Sequence, residues 1–413
     1  MSIRLARLAR AQFPALARLH HGRPLIFFDG PAGSQVPYRV IAAISNYYLK
    51  HNANHGGAFI TSQESDASTD QARQACADLL GSNDPNEIIF GANMTTLTFA
   101  LSRAIAQTWK AGDEIIVSRL DHDANVTPWV RAAEERGVVV RHIEIDPVDC
   151  TLNLESFHRC LTDRTKLLAV GCVSNAVGTR NPFREMIASA KQVGAWVFLD
   201  AVHHAPHLAM DVSAWGADFV CCSAYKFFGP HVGILWGKRE HLETLRPYKV
   251  RPCPETLPDR WMTGTQNFAA IAGVAAAIDY LSDIGASFGE TGSRRQRLWK
   301  AFEAIEDYEK QLSQYLLQTI AQAGPFWIYG ITEPSRLQQR VPTISFTSRT
   351  KSPKEIVQGL AERGICAWAG NFYALPLTEA LQVEPQGLVR IGALHYNTFE
   401  EIEMFGKALK ELA

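Results

Sequence analysis

Short apolar runs alternate with polar turns and helical stretches between residues 25 and 236, and no other feature constrains this 413-residue chain as much. Apolar runs of roughly four to eight residues bounded by turn signals read as strands buried on both faces. They lie at Leu25–Phe28, Glu87–Phe90, Asp113–Val117, Val138–Ile145, Lys166–Cys172, Ala195–Leu199, Phe219–Cys222 and Gly233–Trp236. Helical stretches fall between them, at about Ser68–Leu80, Leu97–Ile105 and Leu154–Cys160. This repetition predicts one sheet with helices on both faces. In open sheets of this kind, ligands sit in the crevice beyond the carboxyl ends of the strands. The polar residues of the segment cluster at those ends.

The stretch from Ala195 to Lys226 concentrates the chemistry. Asp200 closes one apolar run, and Ser223 and Lys226 follow the next. A carboxylate and an amine delivered to one crevice suit pyridoxal phosphate. That cofactor needs a lysine for a Schiff base and an acid to keep its pyridine nitrogen protonated, so that the ring acts as an electron sink. The alternative is a salt bridge at a sheet edge. Asn93, Met94 and Thr95 lie between a strand and a helix, where free N–H groups and the helix dipole favour a phosphate. Asn and Thr there are also ordinary helix caps. The lysine-containing phosphate loop of nucleotide hydrolases is missing, so ATP or GTP has little support. His122, at another strand end, can stack on an aromatic ring or bond to a neighbouring loop. The amide of Asn175 can bond both a phenolic oxygen and a carboxylate. Asp29-Gly30-Pro31-Ala32-Gly33-Ser34 is a tight loop whose backbone can approach a ligand closely, or an ordinary turn.

Forty-one basic residues face 42 acidic ones, for a net charge of −1, which gives no footprint for nucleic acid or an anionic membrane. No apolar run approaches the roughly 20 residues of a membrane span. Eight cysteines without CxxC spacing suggest reduced, cytoplasmic usage and neither a disulfide framework nor a metal site. Arg4, Arg7, Arg10 and Arg18 precede the first acidic residue, Asp29. This start fits an amphipathic helix packed on the body, or else a transit peptide. We expect residues 1–22 to form an N-terminal helix packing on the small domain, 23–285 a large cofactor-binding domain and 286–413 a small C-terminal domain. The four prolines from Pro247 to Pro258 predict a long loop before a helix over Phe268–Leu281 and a charged helix from about Ser293 to Ile320. Strands are expected at Thr343–Phe346, Ile365–Trp368 and Leu388–Ile391. Arg390, inside the last, needs an anionic partner, structural or a substrate carboxylate.

Together these segments resemble the class V aminotransferase family of fold type I pyridoxal-phosphate enzymes, in its cysteine desulfurase-like branch. Asp200-Ala201-Val202-His203 resembles the family's Asp-x-x-Gln/His, and Ser223-Ala224-Tyr225-Lys226 its Ser-Gly-His-Lys. Asp121-His122-Asp123-Ala124-Asn125 with Pro128-Trp129 is similar to Glu-His-His-Ala-Asn and Pro-Trp; Ser174–Gly178, Arg390 and Tyr396-Asn397-Thr398 also match. The resemblance spans nearly the whole chain. It implies an α/β fold: a large domain with a mainly parallel seven-stranded sheet between helices, plus a smaller α+β C-terminal domain. It implies that Lys226 carries the Schiff base to pyridoxal 5'-phosphate, Asp200 pairs with the pyridinium and His122 stacks over the ring. Asn175 and His203 would bond the phenolic oxygen. Asn93, Met94, Thr95, Ser223 and Tyr225 would hold the phosphate, with Thr265 reaching the phosphate of a neighbouring subunit, so a homodimer with active sites at the interface is expected. Arg390, Asn175 and Ala32 would bind a small amino-acid substrate.

The departures bear on the reaction. Desulfurases carry a nucleophilic cysteine on the loop that here reads Ala369–Pro376, and Tyr373 occupies its place. Trp368 stands where many desulfurases have a second arginine, and Tyr225 replaces the usual histidine. Without a loop thiolate, persulfide formation has no obvious acceptor unless Cys253 substitutes. Desulfuration or C–S lysis, transamination, and epimerisation or elimination all remain open. A nicotinamide-binding protein lacks its glycine-rich turn, since Gly30-Pro31-Ala32-Gly33 does not supply the pattern. A non-catalytic scaffold would not need Lys226, Asp200 and Arg390 together.

Overall fold

The computed structural model describes residues 2–413. Helix α1 (Ser2–Arg10) is amphipathic: Leu5, Ala6 and Ala9 are buried, while Arg10 donates to Glu401 Oε1 at 2.7 Å and to the Tyr396 carbonyl at 2.9 Å. This is the body-packed helix that the alternation of Arg with Leu and Ala predicts. The run at residues 25–28 departs from expectation. Its strand, Ile26–Phe27, pairs in parallel with Ile365–Cys366 and stands outside the large sheet. An apolar run reports how deeply a strand is buried, not which strand it pairs with. Helix α2 (Ile60–Leu80) begins eight residues before the expected start, because its first turns are polar and carry no apolar period; it ends at Gly81, at φ 80°.

The large sheet has seven strands: β1 (Ile88–Gly91), β2 (Glu114–Ser118), β3 (Val139–Ile143), β4 (Thr165–Gly171), β5 (Trp196–Asp200), β6 (Phe219–Ser223) and β7 (Gly233–Gly237). Their order is β1-β7-β6-β5-β4-β2-β3, parallel except for β7, which runs antiparallel to both neighbours. Successive side chains point to opposite faces and feed two cores. Ile89, Ile115, Leu167, Phe198 and Leu235 face helix α3 (Met94–Ala106) and Trp129. Phe90, Ile116, Leu168, Val197 and Ile234 face the core shared with helix α4 (Phe268–Ser287) and helix α5 (Arg294–Ala323). Among the described helices α4 alone is long and apolar enough to cross a membrane, and 72% of its apolar window is buried within the protein.

A four-stranded antiparallel sheet follows, made of β8 (Phe326–Tyr329), β9 (Thr343–Ser348), β10 (Trp368–Gly370) and β11 (Leu388–Gly392), in the order β8-β9-β11-β10. The single strand expected at Ile365–Trp368 is two short pieces. Ile365–Cys366 joins Ile26–Phe27, and Trp368–Gly370 joins β11. Helix α6 (Phe399–Glu411) closes the chain behind a capping box of Thr398 and Glu401.

Asp218 pins the starts of β5 and β6, the two strands whose far ends carry the chemistry. It is 1% exposed and accepts from the Val197 amide at 2.7 Å, from Lys238 and His241 at 3.0 Å each, and from Lys191. Burial works to raise its pKa, but hydrogen bonds from His241 and Lys191 outweigh it and hold the carboxyl well below the usual range. Asp218→Ala, which leaves the buried Val197 amide and the His241 ring without their acceptor, should cost about 1–3 kcal/mol in denaturant unfolding. Because the folded pKa is depressed, the wild-type contribution is present above the unfolded value of about 4 and fades as pH falls below it. A variant as stable as wild type at neutral pH would refute this role.

Candidate active site

Strands β2, β4, β5 and β6 end at one edge of the sheet, and a cavity opens there. The floor is acidic and basic at once. Asp200, at the end of β5, is 8% exposed and its Oδ1 accepts from the Val202 amide at 2.8 Å. Burial pushes its pKa up to about 6. Lys226 follows β6 in a single helical turn, is equally buried, and its Nζ donates to the Pro31 carbonyl. Burial lowers this amine to about 7, and the charge of Arg390 acts in the same direction. The amine is thus shifted toward its neutral form, the state a nucleophile needs.

One wall is the start of α3. Asn93 caps the helix, its Oδ1 accepting from the Thr96 amide at 2.9 Å, and Ser223 Oγ accepts from the Met94 amide at 3.0 Å. The end of β6 is thereby tied to the helix N-terminus. Strand β7 comes so close that a Cβ on Gly233 would lie 2.4 Å from the Asn93 carbonyl carbon. Only glycine permits that approach. Thr95 completes this wall, and Tyr225 lines the cavity beside it, stacked on His231 at 4.9 Å with an interplanar angle of 10°.

The opposite wall holds His122, Asn175 and His203. His122 Nδ1 accepts from the Ala124 amide at 3.0 Å, and burial lowers its pKa to about 4, so the ring is neutral with its proton on Nε2. Asn175 Nδ2 donates to the Phe372 carbonyl at 2.9 Å, whereas its Oδ1 is buried without a partner. His203 Nε2 shares a 2.8 Å hydrogen bond with Thr343 Oγ1, and its Nδ1 is likewise unpartnered. Burial keeps this ring neutral as well. Two orphaned buried polar atoms on one wall of a cavity are costly unless something fills it.

Three expected residues do not line the cavity. Arg390, on β11, is buried behind Asn175, where its Nη1 donates to the Asn175 carbonyl at 2.9 Å and its guanidinium lies 4.1 Å from the centroid of the Phe372 ring. Burial lowers its pKa to about 9, opposed by Asp29. Ala32 is half-buried next to Pro31, whose carbonyl holds Lys226. Thr265 is exposed, in the segment before α4. Cys253 is also elsewhere: its thiol donates to the carbonyls of Asp259 and Met262 within its own loop, and none of the eight cysteines lines the cavity.

One lining residue, Asp121, carried no role in the sequence reading. It is 3% exposed, accepts from the Gly171 amide at 2.8 Å, and burial, with the charge of Asp200, pushes its pKa up to about 7. A carboxylate at the end of a parallel strand was the available signal, the same one that marks Asp200.

The model of the aminotransferase class-V family matches residues 26–405. A cysteine desulfurase of Synechococcus elongatus is 31% identical over 98% of this chain, which spans 63% of that relative's length. A probable cysteine desulfurase of Xylella fastidiosa is 33% identical over 97% of this chain and 94% of its own. Among solved structures, the apo cysteine desulfurase of Thermococcus onnurineus superposes with a TM-score of 0.87 at 27% identity, covering 98% of this chain and 97% of that one. The Escherichia coli cysteine desulfurase in its S-sulfonic acid form gives 0.84 at 26%, with 98% of each chain covered. With most of its length matched by the family model and its fold shared end to end with these structures, the chain belongs to the aminotransferase class-V family of pyridoxal-phosphate-dependent enzymes, in its cysteine desulfurase-like branch.

Proposed function

We propose that the protein binds pyridoxal 5'-phosphate and acts on a small amino acid bearing a leaving group at Cβ, cysteine included, by elimination rather than by persulfide transfer. The absence of any thiol from the cavity lining, with Tyr373 at the loop position of the desulfurase cysteine, carries this reading.

The residues present fit the cofactor. The N-terminus of α3, with Asn93, Met94, Thr95, Ser223 and Tyr225, suits its phosphate. The unpartnered Asn175 Oδ1 and His203 Nδ1 support a polar group of the cofactor, such as its phenol, on that wall. His122 offers a flat neutral face to stack on the ring. When bound, the cofactor drains negative charge away from the amino acid's Cα. Asp200 would keep the ring nitrogen protonated, and Lys226 would hold the cofactor covalently and serve as the base for the Cα proton. Arg390, with Asn175 and the Ala32 backbone, holds the α-carboxylate. Tyr373 stacks on His122, which lines the cavity. The Tyr373 phenol carries no sulfur and cannot become a persulfide.

A homodimer completes the reading, with Thr265 reaching the neighbouring subunit's phosphate. The exposed Tyr48, Leu49, Phe59 and Ile60, close together in sequence, support a covered surface there. Eight free cysteines support a reducing, cytoplasmic setting. We divide the chain into an N-terminal segment 1–22 that contains α1, a cofactor domain 23–285 and a C-terminal domain 286–413.

Elimination from cysteine consumes water and gives pyruvate, ammonia and hydrogen sulfide. Incubation with cysteine should therefore yield sulfide and pyruvate in equal amounts, no alanine, and no persulfide by mass spectrometry. Stoichiometric alanine with a persulfide on Cys253 or any other cysteine would overturn the proposal.

A further inference from the structure

We propose that Phe372 is a positioning residue for Arg390, fixing the plane of the guanidinium so that a substrate carboxylate meets its edge. The inference rests on the reading of Arg390 as the carboxylate-binding group and adds the device that aims it.

Arg390 is 5% exposed, and among the described residues no carboxylate forms an ion pair with it. Of its five N–H donors, only Nη1 serves a protein acceptor, the Asn175 carbonyl. The Arg390 Cζ lies over the Phe372 ring, 4.1 Å from its centroid, a separation that suits a stacked guanidinium. A ring on the face leaves the in-plane donors for a ligand, and in-plane bidentate contact is how guanidinium groups recognise carboxylates.

The loop holding that ring is fixed. Phe372 and Tyr373 are consecutive non-glycine residues at φ 58° and 59°, a conformation that bulky residues rarely adopt. It persists only where the surroundings over-determine it. Here Asn175 Nδ2 binds the Phe372 carbonyl at 2.9 Å, the Asp123 amide binds the Tyr373 carbonyl at 2.7 Å, and the Tyr373 ring stacks on His122 at 5.3 Å. Gly387 packs so tightly on Gly370, at the end of β10, that a Cβ would lie 2.4 Å from the Gly370 carbonyl carbon. The loop is a brace tied to three strand ends, and it presents Phe372 to Arg390.

The test uses the cofactor-loaded protein with Phe372→Leu and Phe372→Tyr, titrating its visible absorption band with two probes: L-alanine, which has a carboxylate, and ethylamine, which lacks one. Phe372→Leu should weaken alanine binding roughly tenfold, the loss of one desolvated cation–π contact, and leave ethylamine unchanged. Phe372→Tyr should behave as wild type. With a turned-over amino acid, the Leu variant's effect should fall on KM rather than kcat. A Leu variant equal to wild type, one that weakens both probes alike, or a Tyr variant as impaired as Leu overturns the assignment. Wild-type protein whose band ignores both probes overturns the functional reading itself, a distinct result.

Discussion

Replacing Lys226 with alanine is expected to remove turnover, by roughly a thousandfold or more, because one side chain both joins the cofactor and moves the Cα proton. The phosphate wall built from α3 and Ser223 is untouched, so the variant should still bind the cofactor. In wild type, borohydride should fix the cofactor to the peptide containing Lys226, and a label on any other lysine would sink the assignment. The buried amine titrates at about 7 in the free protein, and only its neutral form is nucleophilic. The rate of cofactor uptake should therefore rise as pH increases through that value and level off above it.

Asp200→Asn should separate catalysis from binding. The amide fills the same volume but cannot hold a proton on the ring nitrogen, so a fixed electrostatic contact is lost. Comparable losses cost roughly 10²–10³ in rate. Cofactor affinity should change little, because the phosphate contacts remain. Steady-state rates close to wild type at saturating cofactor would refute the role. Asp200 also raises the pKa of Asp121, so the substitution should let Asp121 ionise at lower pH.

The parts of the site legible in the sequence are those that local pattern dictates. Strands β4 to β6 are continuous apolar runs because both faces are covered, and each run stops where a polar residue meets the crevice. Asp200, Ser223 and Lys226 could therefore be placed before any coordinates. Ile26–Phe27 could not, because its partner lies more than 300 residues away and nothing local names it. Phe372 was passed over for a related reason. A loop has no period, and the importance of that ring comes from Arg390, which is close only in space. The need of Arg390 for a partner was legible, but its partners, a carbonyl and an aromatic face, were not. Asp121 shows a limit of another kind: the motif was visible, but only burial beside Asp200 makes its carboxylate unusual.

The distant pairing of Ile26–Phe27 bears on the order in which the site is assembled during synthesis. The Gly392 amide donates to the Phe28 carbonyl at 2.7 Å, and the Ile26 amide to the Gly364 carbonyl at 2.9 Å. The turn that follows supplies the carbonyl held by Lys226. A growing chain can form the seven-stranded sheet once residue 237 has emerged. Its opening segment has no dock until residues 364–392 leave the ribosome. Contacts this distant in sequence are the slowest to form. The nascent protein thus holds Lys226 in place and unroofed while the stretch between residues 237 and 364 is made, and a segment made early joins the catalytic centre late.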